Sequence, residues 1–358
     1  VRHTMRLYLV ALVALSLVAV GCSQAAPAPT PTKAAAQPAK AAEPTKAAAP
    51  QATAAPAKKV DYPTKGKVLN IIVPYAAGGG GDLTGRLLAA SLEKELGITV
   101  EVLNKAGGGG QVGITELAKA KPDGYTIGFT NMPHTIPVYL DPERKAAFGR
   151  KDLQPLANVV SDPVAIIAKK GGPYNTLKDL VEAAKTNPKK VKITGSGLLN
   201  PSHIATLLLQ KEAGVEFSYV VYDQQGEQRA ALLGGHMDAE AGPVSEIAQS
   251  VKAGDCIALA VLDKEESKYL PGAKTADAQG FKVNVASARG VSAPAAVPKE
   301  IIELLDKAIG KVMDLEDTKK KQDELMLVPR YMNTAAYTAY WDGLEKDVQP
   351  LIELSKQK

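Results

Sequence analysis

Two glycine-rich turns hold the residues with the most to offer chemically. The first, Ile71–Asp82, reads Ile-Ile-Val-Pro-Tyr-Ala-Ala-Gly-Gly-Gly-Gly-Asp. An apolar run, Val68–Val73, is broken at Pro74 by small residues and resumes as an amphipathic helix from Leu83, with Asp82 placed as its N-cap. Strand, small-residue turn and helix start together leave a row of free backbone N–H groups at the positive end of a helix, which is a place for an anion. The second turn follows at once: Thr99–Leu103 reads as a strand, and Asn104-Lys-Ala with Gly107–Gly110 leads into a helix near Val112. Two such turns within about 40 residues match βαβ spacing and make carboxylate or phosphate recognition the question.

Catalytic alternatives find little support. Gly78–Gly81 opening a helix, with Glu101 about twenty residues on, loosely imitates a dinucleotide fingerprint. However, Pro74–Ala77 lengthens the turn, Glu101 sits inside the second strand, and no Lys-Ser/Thr follows the glycines as a P-loop requires. The histidines His3, His134, His203 and His236 show no metal spacing with each other or with cysteine. There is no Gly-x-Ser-x-Gly elbow, and Cys256 has no local nucleophile signature. No catalytic residue, metal or cofactor is expected, and a nucleotide-dependent α/β enzyme is kept only as an alternative.

A binding role suits the polar residues better. A carboxylate needs two or more converging donors, and amides at a helix start supply them without side-chain entropy. Ala77, Gly78, Gly79 and Gly80 are the candidates for that cradle. Asn131, just after the third strand, and Ser196 and Asn200, on a later loop, can add neutral hydrogen bonds, while Tyr75 and Tyr222 can wall the site. Plainer readings stand beside these. Asn200 precedes Pro201 as a turn residue would, Tyr222 can be packing, and Asp82 caps a helix, since its charge would repel an anion. Arg289 can meet a second ligand carboxylate or form a hinge salt bridge.

The elements that must position these residues alternate between strand and helix. After the two turns come a helix at Val112–Lys121 and a strand at Tyr125–Phe129, so a parallel sheet with helices on both faces is predicted. Val159–Ala168 is extended and carries Ser161-Asp162-Pro163, a crossing between domains. A second α/β unit follows, with helices at Leu177–Thr186, Ser202–Ala213, Gly226–Leu233 and Val244–Ala253 and strands at Val191–Thr194, Phe217–Val221 and Ile257–Leu262. Val283–Val291 crosses back, and three helices from Pro298 finish the chain. The plan is a discontinuous first domain, 66–162 and 287–358, enclosing a second, 163–286. Two crossings are the plan of a hinged binding protein, whose ligand sits in the crevice at the carboxyl ends of strands.

Length and charge fit that plan. The chain has 358 residues, 45% hydrophobic and 23% charged, with only 5% aromatics and a single Trp341, which argues against a nucleic-acid or carbohydrate stacking platform. Its net charge of +5 is misleading: eight basic and two acidic residues precede Gly66, so the remainder carries −1. Arg2, Arg6 and the apolar run Leu7–Val20 read as a signal peptide over 1–21. The segment Ala19-Val-Gly-Cys22 resembles a bacterial lipobox, so Cys22 is expected to carry lipid. Residues 22–65, rich in Ala, Pro and Lys, read as a disordered tether, and Cys256 as a small buried apolar residue without a disulfide.

These residues together resemble the Bug/TctC-type substrate-binding proteins of tripartite tricarboxylate transporters. The likeness is carried by Ile72-Val-Pro-Tyr-Ala-Ala-Gly-Gly-Gly-Gly-Asp82 with Arg86, Asn104-Lys-Ala-Gly-Gly-Gly-Gly110 and Lys121-Pro-Asp-Gly-Tyr-Thr126. Leu232-Leu-Gly-Gly-His-Met-Asp238 and Ala293-Pro-Ala-Ala-Val-Pro-Lys-Glu300 complete the set, in family order. The resemblance implies a two-lobed, venus-flytrap α/β receptor outside the cytoplasm; a monomer anchored by lipid on Cys22 is expected. It would deliver an organic carboxylate to a membrane permease of one large and one small subunit. A sensor feeding a membrane histidine kinase would share the same chain. It also implies that Tyr75–Gly80 and the Ser196–Asn200 region hold one ligand carboxylate. The chain departs from the family pattern at Gly195–Pro201, at Tyr222-Asp-Gln-Gln and at Ala239-Glu-Ala-Gly.

Overall fold

A computed structural model describes residues 60–222 and 224–356. The expected signal peptide, Cys22 and the tether up to residue 59 lie outside the described residues. Packing starts ahead of Gly66. Tyr62 is buried, its ring 5.0 Å from that of Tyr125 and its hydroxyl donating to the Gly124 carbonyl at 2.8 Å. A lone aromatic at the end of an Ala/Pro-rich stretch gives no periodicity, which is why sequence reading leaves it in the tether.

The first sheet begins with β1 (Val68–Val73), β2 (Thr99–Asn104) and β3 (Thr126–Met132), with β1 central and parallel to both others. Helices α1 (Gly80–Leu96) and α2 (Gln111–Ala118) make the crossovers, and α3 (Thr135–Leu140) follows β3. Helix α1 seals Leu87, Leu88 and Leu92 against the sheet, each worth about 1.5–3 kcal/mol of apolar burial. It stops at Gly97, whose φ of 66° lets its N–H close on the Glu93 carbonyl.

The chain then runs as one 17-residue strand, β4 (Leu153–Lys169). Its first part pairs antiparallel with β9 (Ala286–Pro294) and its last part with β7 (Ala239–Pro243) and β8 (Cys256–Val261). At about 3.3 Å per residue, a strand of this length spans both lobes. The second sheet continues from β7 to β5 (Lys192–Gly195) and β6 (Ser218–Val221), in parallel. Helices α4 (Leu177–Thr186), α5 (Pro201–Ala213), α6 (Gln225–Leu233) and α7 (Val244–Lys252) flank it.

Beyond β9 come α8 (Lys299–Asp314), α9 (Glu316–Glu324), a short β10 (Pro329–Met332) on β4, and α10 (Thr334–Lys356). The result is a two-lobed α/β fold, with a sheet flanked by helices in each lobe.

Two expectations are corrected. The sheets are mixed rather than parallel: β9 runs antiparallel to β3 and β4, and β4 antiparallel to β7 and β8. The crossing strands arrive from the other lobe without a βαβ helix, so the rule that fixes a parallel sense does not bind them. Strand β7 escapes sequence reading because Ala-Glu-Ala-Gly-Pro has neither alternation nor β-branched residues.

Candidate functional site

The first glycine turn enters α1 earlier than expected. The N-cap is Gly79, and Gly80, Gly81 and Asp82 form the first turn. Asp82 is thus the third helical residue and not the N-cap, because the glycines themselves take helical geometry. Its carboxylate reaches back to accept from the Gly78 N–H at 2.9 Å, and it also accepts from Arg86 Nε at 3.0 Å and Asn104 Nδ2 at 3.0 Å. Burial alone would raise this carboxyl, but Arg86, the Gly78 amide and Asn104 outweigh it and hold it below the usual range. Asn104 also donates to the Tyr75 carbonyl at 3.2 Å. The residue opening the second turn therefore clamps the first, and Asp82 is consumed in that clamp.

With the turn fixed, the N-terminus of α1 presents first-turn amides that have no intrahelical partner. Ala77, Gly78 and Gly79 are exposed and Gly80 is buried. Gly78 sits at φ +83°, which only glycine takes without strain. Gly80 is required for another reason. A Cβ there would lie 2.3 Å from Arg289 Nη2 and 3.0 Å from Glu246 Oε1, so the guanidinium packs directly on the helix start.

Arg289 lies on β9, 1% exposed, and pairs with Asp162 of β4 (Nη2 to Oδ2, 3.0 Å; Asp162 0% exposed) and with Glu246 of α7 at 3.4 Å. Ser245 closes the group. Its N–H donates to the two Asp162 oxygens at 3.2 and 3.3 Å, its hydroxyl makes a short hydrogen bond to Asp162 Oδ2, and Arg289 Nη2 donates to that hydroxyl at 3.3 Å. Burial raises the Asp162 carboxyl, against the opposing pull of Arg289 and Ser245. It also pushes the Glu246 carboxyl up to about 7, again opposed by Arg289 and reinforced by Asp162 and Glu240. The hinge salt bridge weighed for Arg289 is thus present, and it brings Glu246 of the second sheet's α7 onto the start of α1.

Beside it lie buried polar atoms without a hydrogen bond: Tyr75 Oη, Asn131 Oδ1, Thr135 Oγ1 and Arg289 Nη1. Asn131 stands directly opposite Arg289 in the β3–β9 register, so the two side chains share a face. The Tyr75 ring and Asn131 Nδ2 lie 3.1 and 3.8 Å from where a Gly81 Cβ would be, and the Thr135 hydroxyl is beside Tyr75. Burial pushes the Tyr75 hydroxyl well above its ordinary value, so it stays a neutral donor. His134 stacks on Tyr75 at 5.7 Å and approaches the second glycine turn, with Nε2 3.4 Å from where a Gly109 Cβ would be. Burial lowers it to about 4 and keeps it uncharged.

The second-lobe candidates are placed differently. Asn200 caps α5. It accepts from the His203 N–H at 2.9 Å and donates to Ser196 O at 2.7 Å and Ser196 Oγ at 2.9 Å, so its amide is spent on the loop. Ser196 is exposed. The Tyr222 side chain packs with the cluster around Leu232 and Val244. What faces α1 from the second lobe is Glu246, with Ser245 beside it on Asp162 and Arg289, and sequence reading passed over both. A signal existed in Pro243-Val-Ser-Glu, a strand end entering a helix like the two glycine turns. Glu240, at the departure from the family pattern, is held by Arg229 through two 3.0 Å hydrogen bonds. Among the described residues no group of three His, Cys, Asp or Glu is placed to hold a metal, and no helix is long and apolar enough to cross a membrane.

Two lobes joined by continuous strands, with backbone donors and unpaired buried polar groups at their seam, are the arrangement of a solute-binding receptor. The family model described as "Tripartite tricarboxylate transporter family receptor" matches residues 84–355, and the chain belongs to that family. A Cupriavidus necator protein encoded in the gbd 5' region is 28% identical over 290 residues, covering 80% of this chain and 86% of its own. The structure of the periplasmic binding protein BugD superposes with a TM-score of 0.69 at 28% identity, over 81% of this chain and 98% of BugD. MatC from Rhodopseudomonas palustris with bound malate shares the fold at TM-score 0.71 and 23% identity, over 81% of this chain and all of that one.

Proposed function

We propose that this receptor captures a small organic carboxylate at the seam between its lobes and delivers it to a tripartite tricarboxylate-type permease of one large and one small subunit. The observation that carries the reading is the set of unpaired buried donors, Tyr75 Oη, Thr135 Oγ1 and Arg289 Nη1, beside the α1 N-terminus. Leaving such groups unsatisfied costs about 1–3 kcal/mol each, and a bound anion with its waters repays that cost. The malate bound to MatC supports a carboxylate over a phosphate.

In this reading the turn Ala77–Gly80 cradles one carboxylate through the amides that Asp82 leaves free, Tyr75 and Asn131 contact it, and Ser196 and Tyr222 line the approach. The lobes divide as 66–162 with 287–358 against 163–286, with β4 and β9 as the connecting segments. The receptor works outside the cytoplasm as a monomer, lipid-anchored through Cys22. Titration calorimetry against malate, adipate, succinate and monocarboxylates tests the binding, with Gly79→Asp as a control. The aspartate puts a charge in the cradle and should abolish binding, and unchanged affinity in that variant would refute the assigned turn.

A further inference from the structure

The seam already holds a carboxylate. Glu246 Oε1 lies 3.4 Å from Arg289 Nη2 and 3.0 Å from where a Gly80 Cβ would sit, so a carboxyl group of the second lobe occupies the helix end assigned above to the ligand. A helix N-terminus alone would say little. Here it is joined by Arg289, 1% exposed, with the donor Nη1 unpaired. Arg289 has one fixed counterion, Asp162, which is sealed and tied to Ser245, whereas Glu246 is 30% exposed at the rim of the site. Of the two carboxylates on Arg289, only Glu246 has a path to water.

We propose that Glu246 is an internal occupant of the carboxylate position and that a ligand carboxylate binds by displacing it from Arg289 and the start of α1. The proposal rests on the receptor reading above and adds which residue the ligand competes with. Selectivity follows from that competition: a ligand must bring enough contacts to outbid a tethered carboxylate, which favours acids with a second polar group over simple monocarboxylates.

The displacement has a definite proton balance. The charged groups facing Glu246 are Arg289 from β9, Asp162 from β4 and Glu240 from β7; burial raises its carboxyl to about 7, against Arg289 and with the help of Asp162 and Glu240. Released into water, the carboxyl returns towards its ordinary value of 4.5. Displacement therefore releases a proton to the buffer, and binding strengthens as pH rises. By linkage the affinity at pH 6 should be about tenfold weaker than at pH 8. A Glu246 that stayed in place beside the ligand would instead take up a proton, with the opposite pH slope.

The test is calorimetry of malate and adipate binding to the wild-type receptor, Glu246→Ala and Glu246→Gln at pH 6, 7 and 8. Buffers of different ionisation enthalpy count the protons. The expected result is proton release and about tenfold stronger binding at pH 8 than pH 6 in the wild type. Glu246→Ala should bind about tenfold tighter than wild type at pH 6, and neither variant should keep the slope. If the wild type binds malate without proton release, or if both variants match its affinity at every pH, the proposal is overturned while the receptor reading stands. If neither acid binds any of the three folded proteins, the receptor reading falls and this proposal falls with it.

Discussion

The Arg289 guanidinium and the Asp162 carboxylate meet at 3.0 Å across β9 and β4, both sealed from solvent, at the place where the chain passes between lobes. A buried pair of this kind adds modest net stability, but removing one partner strands the other charge. Arg289→Met should therefore cost about 3–5 kcal/mol in urea unfolding, and the double variant Arg289→Met with Asp162→Asn should recover most of it. Equal losses in the single and double variants would show that the pair carries no coupling.

Gly80→Ala tests the close approach. The added methyl would fall 2.3 Å from Arg289 Nη2 and must push the guanidinium off the helix start. Alanine is otherwise welcome in a first turn, so the fold should survive. Carboxylate affinity should drop by at least tenfold in calorimetry, with circular dichroism unchanged.

Tyr75→Phe separates ligand binding from architecture. The hydroxyl has no protein partner, so its removal relieves a buried unsatisfied group, and stability should hold or rise by up to about 1 kcal/mol. If Tyr75 contacts the ligand, affinity should fall by about tenfold, the value of one hydrogen bond.

Much of the first lobe was legible in the sequence because its elements obey local rules. β1 is a continuous apolar run and α1 carries an apolar stripe; in the second lobe Leu177–Thr186 was placed correctly as well. The glycine turn between β1 and the start of α1 was legible for the same reason. Less legible were the groups that meet only in three dimensions. Asp162, Ser245, Glu246 and Arg289 come from β4, α7 and β9, and no spacing in the chain links them. Asp162 was visible only as part of a crossing, and Glu246 as one acidic residue on a helix. Asn200 illustrates another limit: the sequence offered it as a ligand contact or a turn residue, and the structure makes it the cap of α5.

Glu246 also leaves a mark on stability. Its carboxyl is raised in the folded chain from 4.5 to about 7, so the fold prefers the protonated form. Its contribution is fully present below about pH 4.5 and is lost as pH rises through about 7. Glu246→Gln stays neutral throughout. The stability of that variant relative to wild type should therefore climb between pH 4.5 and 7, by on the order of 2 kcal/mol in denaturant titrations. A flat difference would mean that Glu246 is solvated like any surface carboxylate.

The central claim is that the seam beside α1 recognises an organic carboxylate. Calorimetry of the folded receptor against malate, adipate, succinate and their monocarboxylate and uncharged amide counterparts tests it most directly. The account requires saturable binding of at least one di- or tricarboxylate, loss of that binding with the corresponding amide, and loss in Gly79→Asp. Binding of the amide as tightly as the acid, or no binding of any carboxylate by folded protein, would contradict it.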